Sequence, residues 1–219
     1  MLIKADSFKQ ALKDIANKIE VEKEYLSELD RAIGDGDHGV TMSIGWKAVV
    51  EKLNTDLKEE EDCGEICKVV AKTFLNAVGS SVGPLYATAF LRGSKVLQGK
   101  TELNDEDLYK FWISAGKGIQ ERGKAEVGDK TMWDTISPAV QALEQSYEQG
   151  EDFLTGFRKA VASGEEGMKS TKDMISKKGR SSRLGERSLG NQDPGATSAY
   201  FILSAFLQYL ENTQLKHNV

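Results

Sequence analysis

AIGDGDHGV, residues 32–40, offers two incompatible architectures. Gly34, Gly36 and Gly39 satisfy G-x-G-x-x-G, the pattern of a dinucleotide-binding turn between a strand and a helix. Read that way, the chain would be an α/β protein built on a parallel sheet. Two of the intervening positions, however, are Asp35 and Asp37, and a diphosphate is itself an anion. Either the match is accidental, or something positive sits between carboxylates and phosphates.

The surrounding residues favour helices. Phe8, Leu12, Ile15 and Ile19 recur at three and four residues, the spacing of one helical face. The same period runs through Ile66, Val70 and Phe74, through Leu108, Trp112, Ala115 and Ile119, through Met132, Ile136 and Val140, and through Ala199, Leu203, Phe206 and Leu210. The pattern predicts eight helices at roughly 5–28, 38–54, 63–79, 84–98, 105–121, 130–147, 152–176 and 195–213. No segment reads as a strand; YFILSAFL (200–207) is apolar enough, but its period continues to Leu210. Pro84 and Pro194 fall at helix starts, where a missing N–H costs nothing. Pro138 lies inside a helical pattern and should kink or offset it. With no repeat and no compositional break, the expectation is a single all-α domain over residues 1–219, an antiparallel bundle. The G-x-G-x-x-G match then lacks its strand and is rejected as a dinucleotide turn.

Composition narrows the function classes. At 39% hydrophobic and 29% charged, the chain can bury a core. A net charge of −5 speaks against a nucleic-acid binder, and no run reaches the length of a membrane span or a secretory leader. Cys63 and Cys67 form neither a disulfide framework nor a zinc site, so a reducing cytoplasm is expected.

The unusual segments are the connections 33–39, 78–84, 121–131 and 177–197, all rich in glycine, hydroxyl residues or charge. They follow the first, third, fifth and seventh predicted helices, so in an up-and-down bundle they share one rim. In the first of them, Asp30, Asp35 and Asp37 can converge across a helix end and a tight turn. Carboxylates without histidine or cysteine partners suit Mg²⁺ or Ca²⁺, and a bound cation would turn the acidic turn into a phosphate receptor. Turn chemistry alone serves equally well, with Asp30 a surface charge and Asp37 a helix cap. Gly79, Ser80 and Ser81 could cradle an anion at a helix start or form a plain connector. Asp193, Pro194 and Gly195 read as a capped helix start, and Arg180, Arg183 and Arg187 as phosphate-binding or merely solvated. Gly93/Gly99-Lys100-Thr101 and Gly118/Gly123-Lys124-Ala125 imitate a P-loop, but the first has one residue too many between its glycines and the second lacks the hydroxyl; neither follows a strand.

ELDRAIGDGDHG (28–39), VGSSVGPLYATAFLR (78–92), RGKAEVGDKTMWDT (122–135) and KGRSSRLGERSLGNQDPGATS (178–198) together resemble the nucleotide-binding L subunits of dihydroxyacetone kinase, in order along nearly the whole chain. The resemblance implies an eight-helix antiparallel barrel binding ADP or ATP through two Mg²⁺ at one rim. It implies that Asp30, Asp35 and Asp37 ligate the metals, and that His38, Gly39, Val40 and Thr41 line the phosphate side. Gly79, Ser80, Ser81 and Val82 would add phosphate contacts, Gly123, Met132 and Arg180 would border base and ribose, and Asp193, Pro194 and Gly195 would close the pocket. Asp30, Asp35, Asp37 and His38 are the implied catalytic set. Thr41 and Val82 stand where the family commonly carries asparagine and serine. The implied partners are a K subunit that holds dihydroxyacetone covalently on a histidine and a phosphotransferase-system M subunit that passes phosphate from phosphoenolpyruvate. An ATP-exchanging kinase for a related ketose or tetrulose, a fatty-acid-kinase-like domain and a regulatory domain that binds a transcription factor are the alternatives. No general base stands out in this chain, as befits a subunit whose acceptor arrives on another chain.

Overall fold

The protein, described here by a computed structural model over residues 1–217, is built almost wholly of helices. The side chain of His217, to which the sequence assigns no role, lies outside the described residues. Nine α-helices occur among the described residues: α1 (Ala5–Val21), α2 (Lys23–Ile33), α3 (His38–Asn54), α4 (Cys63–Ala77), α5 (Val82–Leu97), α6 (Asp105–Gly123), α7 (Trp133–Glu148), α8 (Phe153–Ser170) and α9 (Pro194–His217). Short 3-10 turns cover Thr171–Asp173 and Arg180–Ser188.

Three expectations need correction. The helix expected at 5–28 is two helices that break at Glu22 and continue to Ile33. The break is invisible to periodicity, because buried Ile19 and Leu26 stay in helical register across it. The helix expected at 152–176 ends at Ser170. A two-stranded antiparallel sheet also exists, pairing β1 (Leu2–Lys4) with β2 (Glu102–Asn104). Each strand buries only its central residue, Ile3 or Leu103, too little alternation to register as a strand. Pro138 lies inside α7, as its pattern requires.

From α2 onward each helix packs on the next, and α9 returns to pack on α1 and α2, so the ring closes. The apolar stripes face inward into one continuous core. Its densest part is aromatic: Trp112 meets Phe157 and Phe206 at centroid separations of 5.1 and 5.0 Å, and Phe157 also meets Phe153. No described helix is long and apolar enough to cross a membrane.

Helix starts differ between the two ends of the ring. At one end α4, α6 and α8 are capped by side chains: Asp62 accepts from the Gly64 N–H, Asn104 forms a reciprocal box with Asp107, and Asp152 accepts from the Thr155 N–H. At the other end α3, α5 and α7 begin at Asp37, Ser81 and Met132, none of which makes a side-chain cap.

Phe157 is fully buried and touches aromatic rings from α6, α8 and α9. Phe157→Ala should therefore cost about 3–5 kcal/mol of unfolding free energy, read as a lower urea midpoint with an unchanged slope.

Candidate functional site

At the end where α3, α5, α7 and α9 start, the four connections meet around a cleft of about 640 Å³. Its walls come from the starts of α3 (Asp37, His38), α5 (Ser80, Ser81, Val82), α7 (Met132, Trp133) and α9 (Pro194, Gly195). Four helix N-termini thus aim their partial positive charge at one volume, an arrangement that favours an anion.

The acidic turn lies across the α2–α3 junction. Asp30, in the last turn of α2, accepts the Asp37 and His38 backbone N–H groups on one oxygen at 2.8 and 3.1 Å. That clasp folds residues 34–37 into a tight loop, and Gly36 supplies the left-handed conformation the loop needs, at φ +79°. One oxygen from each of Asp30, Asp35 and Asp37 lies within 4.8 Å of the others, with Asp35 and Asp37 exposed. Asp37, which on turn chemistry would cap α3, starts that helix without a side-chain cap, so its carboxylate stays available. Three convergent hard oxygens could hold Mg²⁺ or Ca²⁺. The Arg180 guanidinium balances this charge, pairing with Asp35 and, at 3.3 Å, with Asp37.

Ser80 fits an anion from the other side. Its hydroxyl is buried without a hydrogen-bond partner, and the residue lines the cleft at the start of α5. A buried orphan hydroxyl is costly unless something else completes it. Farther along, Leu85, Ile119, Gly123, Ala125 and Met132 make an apolar wall suited to a flat ring.

His38 is buried and its Nε2 lies 2.9 Å from Ser198 Oγ. That hydroxyl donates to the Gly195 carbonyl, so its oxygen is left to accept from Nε2–H. Burial lowers its pKa to about 4, against the opposing pull of Asp30. Asp193 accepts the Ala196 N–H at 2.7 Å and starts α9.

Most residues implied by the resemblance converge here, with exceptions. Gly39 lines neither this cleft nor its neighbour. A side chain there would stand 1.9 Å from the Lys23 carbonyl, so Gly39 lets α3 approach α2. Val40, on α3, is 42% exposed and also lines neither cleft. Thr41 and Gly79 lie in an adjoining cleft of about 270 Å³ rather than in the main one. Arg180 borders the acidic turn as well as the main cleft, and Arg183 and Arg187 reach neither.

Periodicity and motif matching passed over Lys130. It is 1% exposed and adopts φ +62°. Its ammonium donates to the carbonyls of Thr171, Met174, Ser188 and Asn191 at 2.7, 3.2, 2.7 and 2.6 Å. The bonds reach both ends of the segment that carries Arg180. In the sequence it is one lysine among the charges of the 121–131 connection, with nothing to mark it as buried. Lys178, whose Nζ bonds the Lys124 carbonyl, joins the cleft wall in the same way.

The fold and rim define an all-helical domain with an anion-receptive end carrying an acidic turn. The DAK2 domain profile matches residues 32–208. The chain is 44% identical to the ADP-binding subunit DhaL of the PEP-dependent dihydroxyacetone kinase of Escherichia coli, over 83% of this chain and 86% of that one. It is 39% identical to the corresponding subunit of PEP-dependent dihydroxyacetone kinase 2 of Listeria innocua, over 93% and 94%. The fold resembles the crystal structure of the C. freundii dihydroxyacetone kinase in complex with AMP-PNP and Mg²⁺, with a TM-score of 0.71 and 20% identity, over 91% of this chain but 33% of that longer one. The chain belongs to the DAK2 family and, within it, to the DhaL-type subunits of dihydroxyacetone kinases.

Burial lifts the Asp193 carboxyl from its ordinary 3.8 to about 7, with Asp134 adding to the rise and the Ala196 N–H opposing it. The folded chain then holds this proton more tightly than the unfolded chain. Its contribution to stability is full below the unfolded pKa and is lost as pH rises to about 7. Unfolding free energy should fall between these limits more steeply in the wild type than in Asp193→Asn, measured by urea titration at stepped pH.

Proposed function

We propose that this chain is the nucleotide-holding, phosphoryl-transferring subunit of a dihydroxyacetone kinase, acting in the cytoplasm. The observation that carries the reading is the rim itself. The starts of α3, α5 and α7 and the orphaned Ser80 hydroxyl face the same cleft as three convergent carboxylates. Phosphates satisfy the first set, and a cation reconciles them with the second.

In this reading ADP or ATP lies in the main cleft, its base against Leu85, Ile119, Gly123 and Met132. Asp30, Asp35 and Asp37 hold two Mg²⁺, which supply charge neutralisation on the phosphates. The helix starts and Ser80 position the phosphate chain, and Arg180 moves from the carboxylates to the transferring group. Neutral His38 holds the α9 start in place through Ser198. Nothing here takes a proton from an acceptor hydroxyl, so the acceptor, dihydroxyacetone, comes on a separate K subunit with its own base. The similar ADP-binding subunits of Escherichia coli and Listeria innocua are named for PEP-dependent kinases, which supports a resident ADP recharged through a phosphotransferase-system M subunit.

Asp35→Ala and Asp37→Ala should each weaken Mg²⁺-dependent ADP binding on the order of a hundredfold or more, read by calorimetry, since even outer-sphere changes at metal sites cost up to about that much. Unchanged binding in both variants would remove the metal reading.

The purified chain alone should not phosphorylate dihydroxyacetone and should release ADP on denaturation. With K subunit, it should turn over on phosphoenolpyruvate plus M subunit. Sustained turnover on ATP without M subunit would instead make it an exchanging kinase.

A further inference from the structure

Arg180 pairs with Asp35 and Asp37 from a strap, residues 175–187, in the connection between α8 and α9. Between Ser176 and Ser188 no residue of the strap is buried. Its backbone turns through positive φ at Gly179 and Gly185, +71° and +55°. Apolar packing therefore does little to place the guanidinium.

What fixes the strap is polar and sits at its feet. Thr171 and Met174 precede it, Ser188 and Asn191 follow it, and their four carbonyls converge on the Lys130 ammonium. These bonds carry a full charge, so each holds more firmly than a neutral one. Two neutral bonds join the feet beside it, Gly190 N–H to the Lys172 carbonyl at 2.8 Å and Ser176 N–H to Ser188 Oγ at 2.9 Å. The turn that carries the lysine has separate support. Asp134 accepts the Gly128 and Thr131 N–H groups at 2.6 and 2.7 Å, and Asp129 accepts the Glu126 N–H at 2.9 Å. Loss of the ammonium thus leaves the α7 start in place and strands four carbonyls, which reach water when the strap opens.

We infer that Lys130 is a positioning residue for phosphoryl transfer: it holds the feet of the strap so that the Arg180 guanidinium meets the transferring group. This rests on the role given to Arg180 above. Lys130 acts through Arg180 alone, so the two side chains contribute one effect between them.

Three measurements test it. In Lys130→Met, trypsin should cut after Lys177, Arg180, Arg183 or Arg187 at least about tenfold faster than in the wild type, with circular dichroism unchanged and ADP with Mg²⁺ bound within about threefold. Single-turnover transfer from the nucleotide to dihydroxyacetone on K subunit should slow by about a hundredfold or more in Arg180→Gln and in Lys130→Met, but by no more than about threefold further in the double variant. Lys130→Gly keeps the turn, because glycine takes φ +62° without strain, and removes the side chain. n-Butylammonium should then speed transfer by Lys130→Gly, tetramethylammonium, which has no N–H, should not, and neither should help once Arg180→Gln is added. Losses that multiply in the double variant, or rescue that persists without Arg180, make Lys130 a general support of the fold and overturn the inference. Failure of both Lys130 variants to fold, even with butylammonium, does the same. Full transfer by Arg180→Gln overturns the role of Arg180 and this inference together, whereas the metal and nucleotide assignments are judged separately by the Asp35 and Asp37 variants.

Discussion

The ammonium of Lys130 is the point on which the rim depends. Buried among four backbone carbonyls, it holds residues on both sides of the segment that crosses the acidic turn. A charge so deep is tolerable only because every donor finds an acceptor. Burial pulls its pKa down, while Asp193 and Asp173 oppose that pull. The positive φ at Lys130 brings the ammonium under the segment and leaves Thr131 and Met132 facing the cleft. The lysine thus places two walls at once, the start of α7 and the segment of Arg180. Without it, a long irregular connection would have no internal anchor apart from bonds such as Ser176 N–H to Ser188 Oγ.

The two ends of the barrel solve the same physical problem in opposite ways. Every helix start leaves backbone N–H groups unpaired. At the far end Asp62, Asn104 and Asp152 pair them and the surface is finished. At the rim the residues that begin α3, α5 and α7 make no such cap; Asp30 takes the His38 N–H and Thr131 Oγ1 the Trp133 N–H, while the helix dipoles still add, each favouring an anion by about 0.3–1 kcal/mol. Aspartates placed there look contradictory only while phosphate is considered alone. Asp30 uses one oxygen on the turn, and one oxygen from each of Asp30, Asp35 and Asp37 lies within 4.8 Å of the others, with the Arg180 guanidinium paired to Asp35 and Asp37.

Much of this was legible in the residues. Helical period placed the helices within a few positions, and the parity of the connections brought the four loops to one rim because from α2 onward each helix reverses the chain. What escaped had physical reasons. A break at Glu22 preserved the register of Ile19 and Leu26, and strands with one buried residue each carry no alternation. Of the residues that the resemblance assigns to the phosphate side, Val40 is exposed and lines neither cleft, and Gly39 leaves no room for a side chain because α2 lies against it. The division between two clefts could not be read at all, since it depends on the side chains of Asp37, Ser80 and Arg180 meeting from three separate segments.

Closure of the ring by α9 has a consequence for biosynthesis. The seam joins the first helix to the last, so Phe8, Leu12, Ile15 and Ile19 on α1 lack their final covering until residues beyond 194 have emerged. A nascent chain therefore carries an open apolar staircase through most of its translation, and no domino-like folding from the N-terminus can finish the barrel early. Long-range closure of this kind slows folding and exposes a sticky intermediate. The same late helix also brings Pro194 and Gly195 to the cleft, so a ribosome-bound barrel missing its last stave has no complete site to fill.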